Sequence, residues 1–155
     1  MRKKLISTLV LGAMLAAAPG TALAETMVVD IGNPIAVLDG EPVVLKHTAG
    51  YHEDGTILLP VRDIVEALGG TVVYDETKDM VTISLPNGNW ATVEIDRTAE
   101  VGIADGTEDG IVGTGTFIDN RLYLPTPLMA ACLGAHIQLI DDGQGEVFRL
   151  ICHIR

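Results

Sequence analysis

The sequence predicts an α+β fold in which antiparallel sheet wraps around short helices, built from two copies of a strand-helix-strand-strand unit. Three observations predict it. Seventeen glycines and seven prolines punctuate short apolar runs, as in a strand-rich chain joined by tight turns. One stretch, PVRDIVEALGG at 60–70, carries a helical apolar stripe instead. That stretch then recurs, with its flanking segments, 65 residues further on.

At the start of the chain, Arg2, Lys3 and Lys4 precede an apolar run from Leu5 to Ala18 and an Ala22-Leu23-Ala24 site. These are the three regions of a secretory signal peptide. The run is too short to span roughly 30 Å of hydrocarbon at 1.5 Å per residue, so cleavage after Ala24 is expected, leaving a domain at 25–155. With no cysteine near the site and no later long apolar stretch, neither a lipid anchor nor membrane insertion is expected after cleavage. Losing three basic and no acidic residues would take the formal charge from −11 to −14 over 131 residues. Such a chain repels nucleic acid and anionic lipid, and its length suffices for one core.

Two hairpins follow from turn chemistry. AVLDGEPVVL places Asp39-Gly40 between apolar runs, and LPNGNWATVEI places Asn87-Gly88 likewise; both dipeptides accept the positive φ of a tight turn. In VTISL, 81–85, Val81, Ile83 and Leu85 alternate with Thr82 and Ser84, the period of a strand covered on one face. TVVY before it and ATVEI after it are its expected antiparallel neighbours, with DETKD as a polar turn.

The helix is read from Val61, Ile64, Val65 and Leu68 at i, i+3, i+4 and i+7. Pro60 suits its start, where a missing N–H leaves nothing unpaired, and Gly69-Gly70 suits its stop. Setting Pro60 against Pro125 pairs Leu59 with Leu124, Leu68 with Leu133 and Gly69 with Gly134. Copy one is therefore placed at about 35–85, a connector hairpin at 86–116 and a degenerate copy two at about 117–154.

DGTILLPVRDIVEALGGTVVYDETKDMVTI resembles the copper amine oxidase N-terminal-like domain, also called a stalk domain, of secreted Gram-positive bacterial proteins. DNRLYLPTPLMAACLGAHIQLIDDGQGEVFRLI is similar but has Pro127 in place of Arg62 and Ala131 in place of Glu66. The resemblance implies antiparallel sheet around a helix, used as an accessory module, with Pro60, Arg62, Glu66, Leu68, Gly69, Pro125, Leu133 and Gly134 as motif positions. It does not imply amine oxidation. That chemistry belongs to a separate domain with a quinone-forming tyrosine after asparagine and copper on histidines that include a His-x-His pair. Here Tyr51, Tyr74 and Tyr123 follow Gly50, Val73 and Leu122, and no His-x-His occurs.

Arg62, Asp63 and Glu66 form the sharpest polar cluster. They read either as a ligand clamp or as an i,i+4 pair worth about 0.3 kcal/mol beside an aspartate favourably placed in the first turn. An Arg62 that binds back to a loop carbonyl or turn carboxylate fits the structural role. His47 and His52, with Glu53 and Asp54, could take Zn²⁺ or Cu²⁺, though H-x4-H in a loop matches no usual ligand spacing. His136 and His153 are lone residues on strands. Asp105, Thr107, Asp109 and Gly110 fit early positions of a calcium loop, but Thr116 stands where a bidentate Glu is needed; a turn-rich connector is the other reading. Cys132 and Cys152 are either a disulfide or two buried thiols.

No G-x-S-x-G, Walker loop, H-E-x-x-H or nucleophile-base pairing is present. The sequence thus points to a secreted non-catalytic module for binding, spacing or scaffolding at the bacterial cell envelope, with cell-wall polymer or another secreted protein as partner, no cofactor and no nucleic acid. Its rivals are an extracellular divalent-metal-binding protein and a small hydrolase with an unrecognised site.

Overall fold

A computed structural model describes residues 25–96, 101–106 and 112–154; the expected signal peptide at 1–24 lies outside the described residues. The elements run β1 (Glu25–Asp30), β2 (Ile35–Leu38), β3 (Glu41–Val44), β4 (Gly50–Tyr51), β5 (Ile57–Pro60) and α1 (Val61–Ala67). They continue with β6 (Thr71–Asp75), β7 (Met80–Ser84), β8 (Trp90–Asp96), β9 (Val101–Gly106) and β10 (Val112–Ile118). β11 (Arg121–Pro125), α2 (Thr126–Leu133), β12 (Ala135–Asp141) and β13 (Val147–Ile154) complete the described chain. Mostly antiparallel sheet with two short helices is an α+β fold.

The expected local devices are in place. Asp39 and Gly40 both have positive φ, 50° and 85°, in the two-residue turn from β2 to β3. Gly88, at φ 95°, turns the chain between β7 and β8. β6, β7 and β8 are antiparallel neighbours, and Val81 and Ile83 are buried while Thr82 faces out. Pro60 caps α1 at its start, and Gly69 follows its end at φ 85°.

There are two sheets instead of one. The eight-stranded sheet has the order β4-β5-β11-β10-β9-β8-β7-β6, and the five-stranded sheet β12-β13-β1-β2-β3. The second sheet forms around β1, a strand that the turn signals alone did not reveal. Its own pattern is legible: Met27 and Val29 are fully buried between half-exposed Thr26, Val28 and Asp30. β1 pairs with β13, so the strands that follow α2 join β1 while those that follow α1 stay in the larger sheet. The expected connector at 86–116 also holds more strand than expected: β9 pairs with both β8 and β10.

The larger sheet curls. α1 touches β6 at one edge and also β5 and β11 near the other edge, which only a strongly curved sheet permits. α2 lies against β5, β8, β9, β10 and β11 and also against β12 of the smaller sheet. One core results, joining Ile64 and Val65 of α1, Met129 and Leu133 of α2, and Met27 and Leu150 of the smaller sheet. At its centre the two Leu-Pro strands pair directly, Leu59 opposite Leu124, with Leu58 opposite Pro125 and Pro60 opposite Tyr123.

Gly70 is required by proximity. A Cβ there would run into the carbonyl oxygen of Ser84 and lie 2.9 Å from Val65 Cγ1, because β6 leaves the helix hard against β7. Gly70→Ala should therefore lose about 1–3 kcal/mol of stability, read by urea denaturation; an unchanged midpoint would show that β6 can shift.

On the smaller sheet Arg149 of β13 makes a two-pronged bond to Asp30 of β1, Nε to Oδ1 at 2.6 Å and Nη2 to Oδ2 at 3.1 Å. The bond from the guanidinium holds the Asp30 carboxyl below the ordinary 3.8. A depressed folded-state pKa gives stability that is present above the unfolded value, about 3.9 for aspartate, and is lost as pH falls through the folded value. Arg149→Met should be less stable than wild type at pH 7, and the gap should close below pH of about 4; a gap independent of pH would assign the effect to packing.

Candidate functional site

The three charges on α1 do two different jobs. Arg62 and Glu66 point outward and pair, Nη1 to Oε2 at 3.2 Å. The same Nη1 donates to the carbonyl of Val72 on β6 at 3.3 Å. β6 ends the eight-stranded sheet, and on an end strand alternate carbonyls face away from the ladder; Arg62 occupies one of them. The helix is thus tied to the strand that follows it through a backbone carbonyl.

Asp63 turns the other way. Its side chain is only 8% exposed, and Oδ2 accepts the backbone N–H of His47 at 2.6 Å and meets His47 Nδ1 at 2.9 Å. This holds the 45–49 loop against α1, with Leu45 and Ala49 inserted into the core on either side of His47. Burial, with the Asp63 carboxylate as a lesser cause, pushes up the phenol pKa of Tyr123 on β11. Neither the clamp nor the first-turn reading of Asp63 names His47, because that partner lies sixteen residues away in a loop with no periodicity.

A cleft of about 720 Å³ opens beside this anchor, between the β6–β8 side of the curled sheet and the β10–β11 hairpin. Its lining is mixed: Val72, Val81, Ile95, Phe117 and Leu122 are apolar, while Asp63 and Asp119 bring carboxylates to it. Arg62 and Arg121 stand at its margin with Asn120. Arg121 reaches back to the Asp119 carbonyl through one nitrogen at 3.2 Å, and the remaining guanidinium donors are not committed by that bond. Tyr74, also lining the cleft, donates its hydroxyl to Asp79 Oδ1 at 2.9 Å. Apolar side chains and polar groups of both charges thus share one cleft.

Apart from Arg62 and Glu66, the motif residues lie in the core or at the helix ends. Leu68 and Leu133 are buried, Pro60 and Pro125 cap the two helices, and Gly134 ends α2 in the left-handed region at φ 64°. Asn89 donates Nδ2 to the Leu133 carbonyl at 3.0 Å, closing the end of α2. In the second helix Leu128 stands where the first has Asp63, and it is buried.

Among the described residues, those weighed as metal ligands are not brought together. His47 is held by Asp63, while His52 faces Asp54 with Nδ1 to Oδ1 at 3.4 Å. Asp105 lies within β9, opposite Thr92 and Val112, so the segment cannot curve as a calcium loop from that residue; Asp109 lies outside the described residues. Among the described residues no group of three or more His, Cys, Asp or Glu side chains converges. Cys132 and Cys152 are buried and not joined in a disulfide. They sit on α2 and β13 as parts of one core, and burial pushes the Cys152 thiol up to about 11, far from the thiolate that nucleophilic chemistry needs. His136 and His153, read as lone residues, are direct partners across β12 and β13; strand periodicity shows a face but not which strands are neighbours.

The family model described as the copper amine oxidase N-terminal domain matches residues 37–148. No curated protein and no solved structure matches the chain.

The two anchors of α1 should differ in weight. Arg62→Ala removes an exposed pair and one hydrogen bond, and should lower stability by about 1 kcal/mol. Asp63→Ala leaves the part-buried His47 N–H without its acceptor, and should lose about 1–3 kcal/mol. Thermal or urea denaturation checks the order; equal losses would show that the loop finds another acceptor.

Proposed function

The chain belongs to the copper amine oxidase N-terminal domain family, and on that premise we propose that it is a non-catalytic binding module secreted to the bacterial cell envelope. In that role the cleft takes a segment of cell-wall polymer or of another secreted protein. The family's namesake is the non-catalytic N-terminal domain of copper amine oxidases. The reading is carried by the cleft, whose lining sets Arg62 and Arg121 among apolar side chains and the carboxylates of Asp63 and Asp119. Guanidinium groups suit the carboxylates and phosphates of wall polymers and of acidic peptide segments.

Other observations support the same reading. No helix among the described residues is long and apolar enough to cross a membrane, in keeping with a module that works outside the bilayer once its expected leader is removed. The opposed Leu59 and Leu124, with the exchange of Leu58–Pro125 for Pro60–Tyr123, make a register symmetric about one point. We read this as a duplicated unit joined through its leading strands. The second unit has Pro127 and Leu128 in place of Arg62 and Asp63, so the anchored loop belongs to the first unit alone, while the cleft takes its second arginine, Arg121, from the second unit.

Retention on purified cell wall, against a soluble control of matched charge, tests the proposal. The protein should be retained above the control, and Arg121→Ala and Phe117→Ala, which change the cleft margin and wall, should each reduce retention several-fold without lowering the melting temperature. Retention equal to the control, or retention untouched by both variants, would remove the wall reading of the cleft.

A further inference from the structure

His136 and His153 face each other directly across the antiparallel pair β12–β13. Their rings stand with centroids 6.3 Å apart and planes 20° from parallel. Both residues are exposed, on the opposite face of the sheet from buried Ala135, Cys152 and Ile154. The next residue in the row is Thr26 of β1, whose N–H is taken by Asp39 Oδ1 at 2.9 Å. Nothing in the scaffold explains two adjacent surface imidazoles.

We propose that His136 and His153 form a cross-strand chelate for a borderline divalent transition metal, Cu²⁺, Ni²⁺ or Zn²⁺. Neutral imidazole suits these ions, while hard cations such as Ca²⁺ and Mg²⁺ prefer oxygen. A metal–nitrogen bond of about 2.0–2.1 Å requires the two donor nitrogens to swing toward one another from their present stacking. Exposure on the sheet face leaves the rings room to make that swing. The ladder between the strands presents the second imidazole as soon as the first has bound, which raises its effective concentration. Water completes the coordination sphere, and the net negative charge of the chain favours any cation.

The candidates in the 45–54 loop are poorer because each is already engaged, His47 by Asp63 and His52 by Asp54. At His136 and His153 the metal would bind only where the strands are paired, so it would stabilise the folded state in proportion to its occupancy. It would also tie down β12, which is an end strand of its sheet. The site lies on the smaller sheet, none of whose strands lines the cleft, and it stands or falls independently of wall binding.

Calorimetric titration with Cu²⁺, Ni²⁺ and Zn²⁺, paired with thermal melts, tests the site on wild type, His136→Ala, His153→Ala, His136→Gln and the control His52→Ala. One ion per chain is expected, tightest for Cu²⁺, with a raised melting temperature. Each substitution at 136 or 153 should weaken binding at least about tenfold and abolish the thermal shift, while His52→Ala keeps both. Absence of binding in the millimolar range or tighter, unchanged affinity in the His136 and His153 variants, or loss confined to His52→Ala would each overturn the proposal.

Discussion

Two helices of seven and eight residues are too short to persist alone in water, where about 12–15 residues are needed. They exist because their apolar faces are removed from water on several sides at once. Val61, Ile64 and Val65 of the first helix and Leu128, Met129, Cys132 and Leu133 of the second are all buried, and they belong to one core. A flat sheet covers a helix from one side only. The curl of the eight-stranded sheet and the addition of the smaller sheet follow from the need to cover the rest.

That constraint explains the pairing at the centre of the molecule. Each helix is entered from a strand ending in Leu-Pro, and the two strands lie side by side with Leu59 against Leu124. Proline has no N–H to give to a ladder, but at the strand end it fixes the backbone for helix entry. Both helices therefore leave the sheet from neighbouring points and enter the same core. From there they diverge: the strands after α1 close the large sheet, and those after α2 are captured by β1.

The polar groups of α1 show how one short helix serves two purposes. Asp63 is spent on the scaffold, holding the loop at His47. Arg62 ties the helix to the Val72 carbonyl and at the same time forms part of the cleft margin. A helix that needs this much anchoring still leaves guanidinium donors at a cleft of mixed polarity. The corresponding positions on α2 are a proline and a buried leucine, and α2 is held instead by packing and by hydrogen bonds at its two ends, Thr126 to the Ile57 carbonyl and Asn89 to the Leu133 carbonyl.

Much of the local structure was legible in the residues themselves. Asp39-Gly40, Asn87-Gly88, the Val61–Leu68 stripe and the Val81–Ile83 alternation each express a conformational or burial preference within a few residues, and such preferences survive folding. The strand at Met27 and Val29 was equally patterned, yet it lacks a turn signal and became recognisable through its partner β13. What only the tertiary structure decided was adjacency. The sequence by itself determined the two helices, the tight turns, most of the strands and the inward faces of those it marked, and the family likeness. The joining of Asp63 to His47, the meeting of Arg62 and Arg121 at one cleft, and the facing of His136 and His153 depend on sheet order and curvature. Those arise from contacts between residues far apart in the chain, which short-range periodicity does not encode.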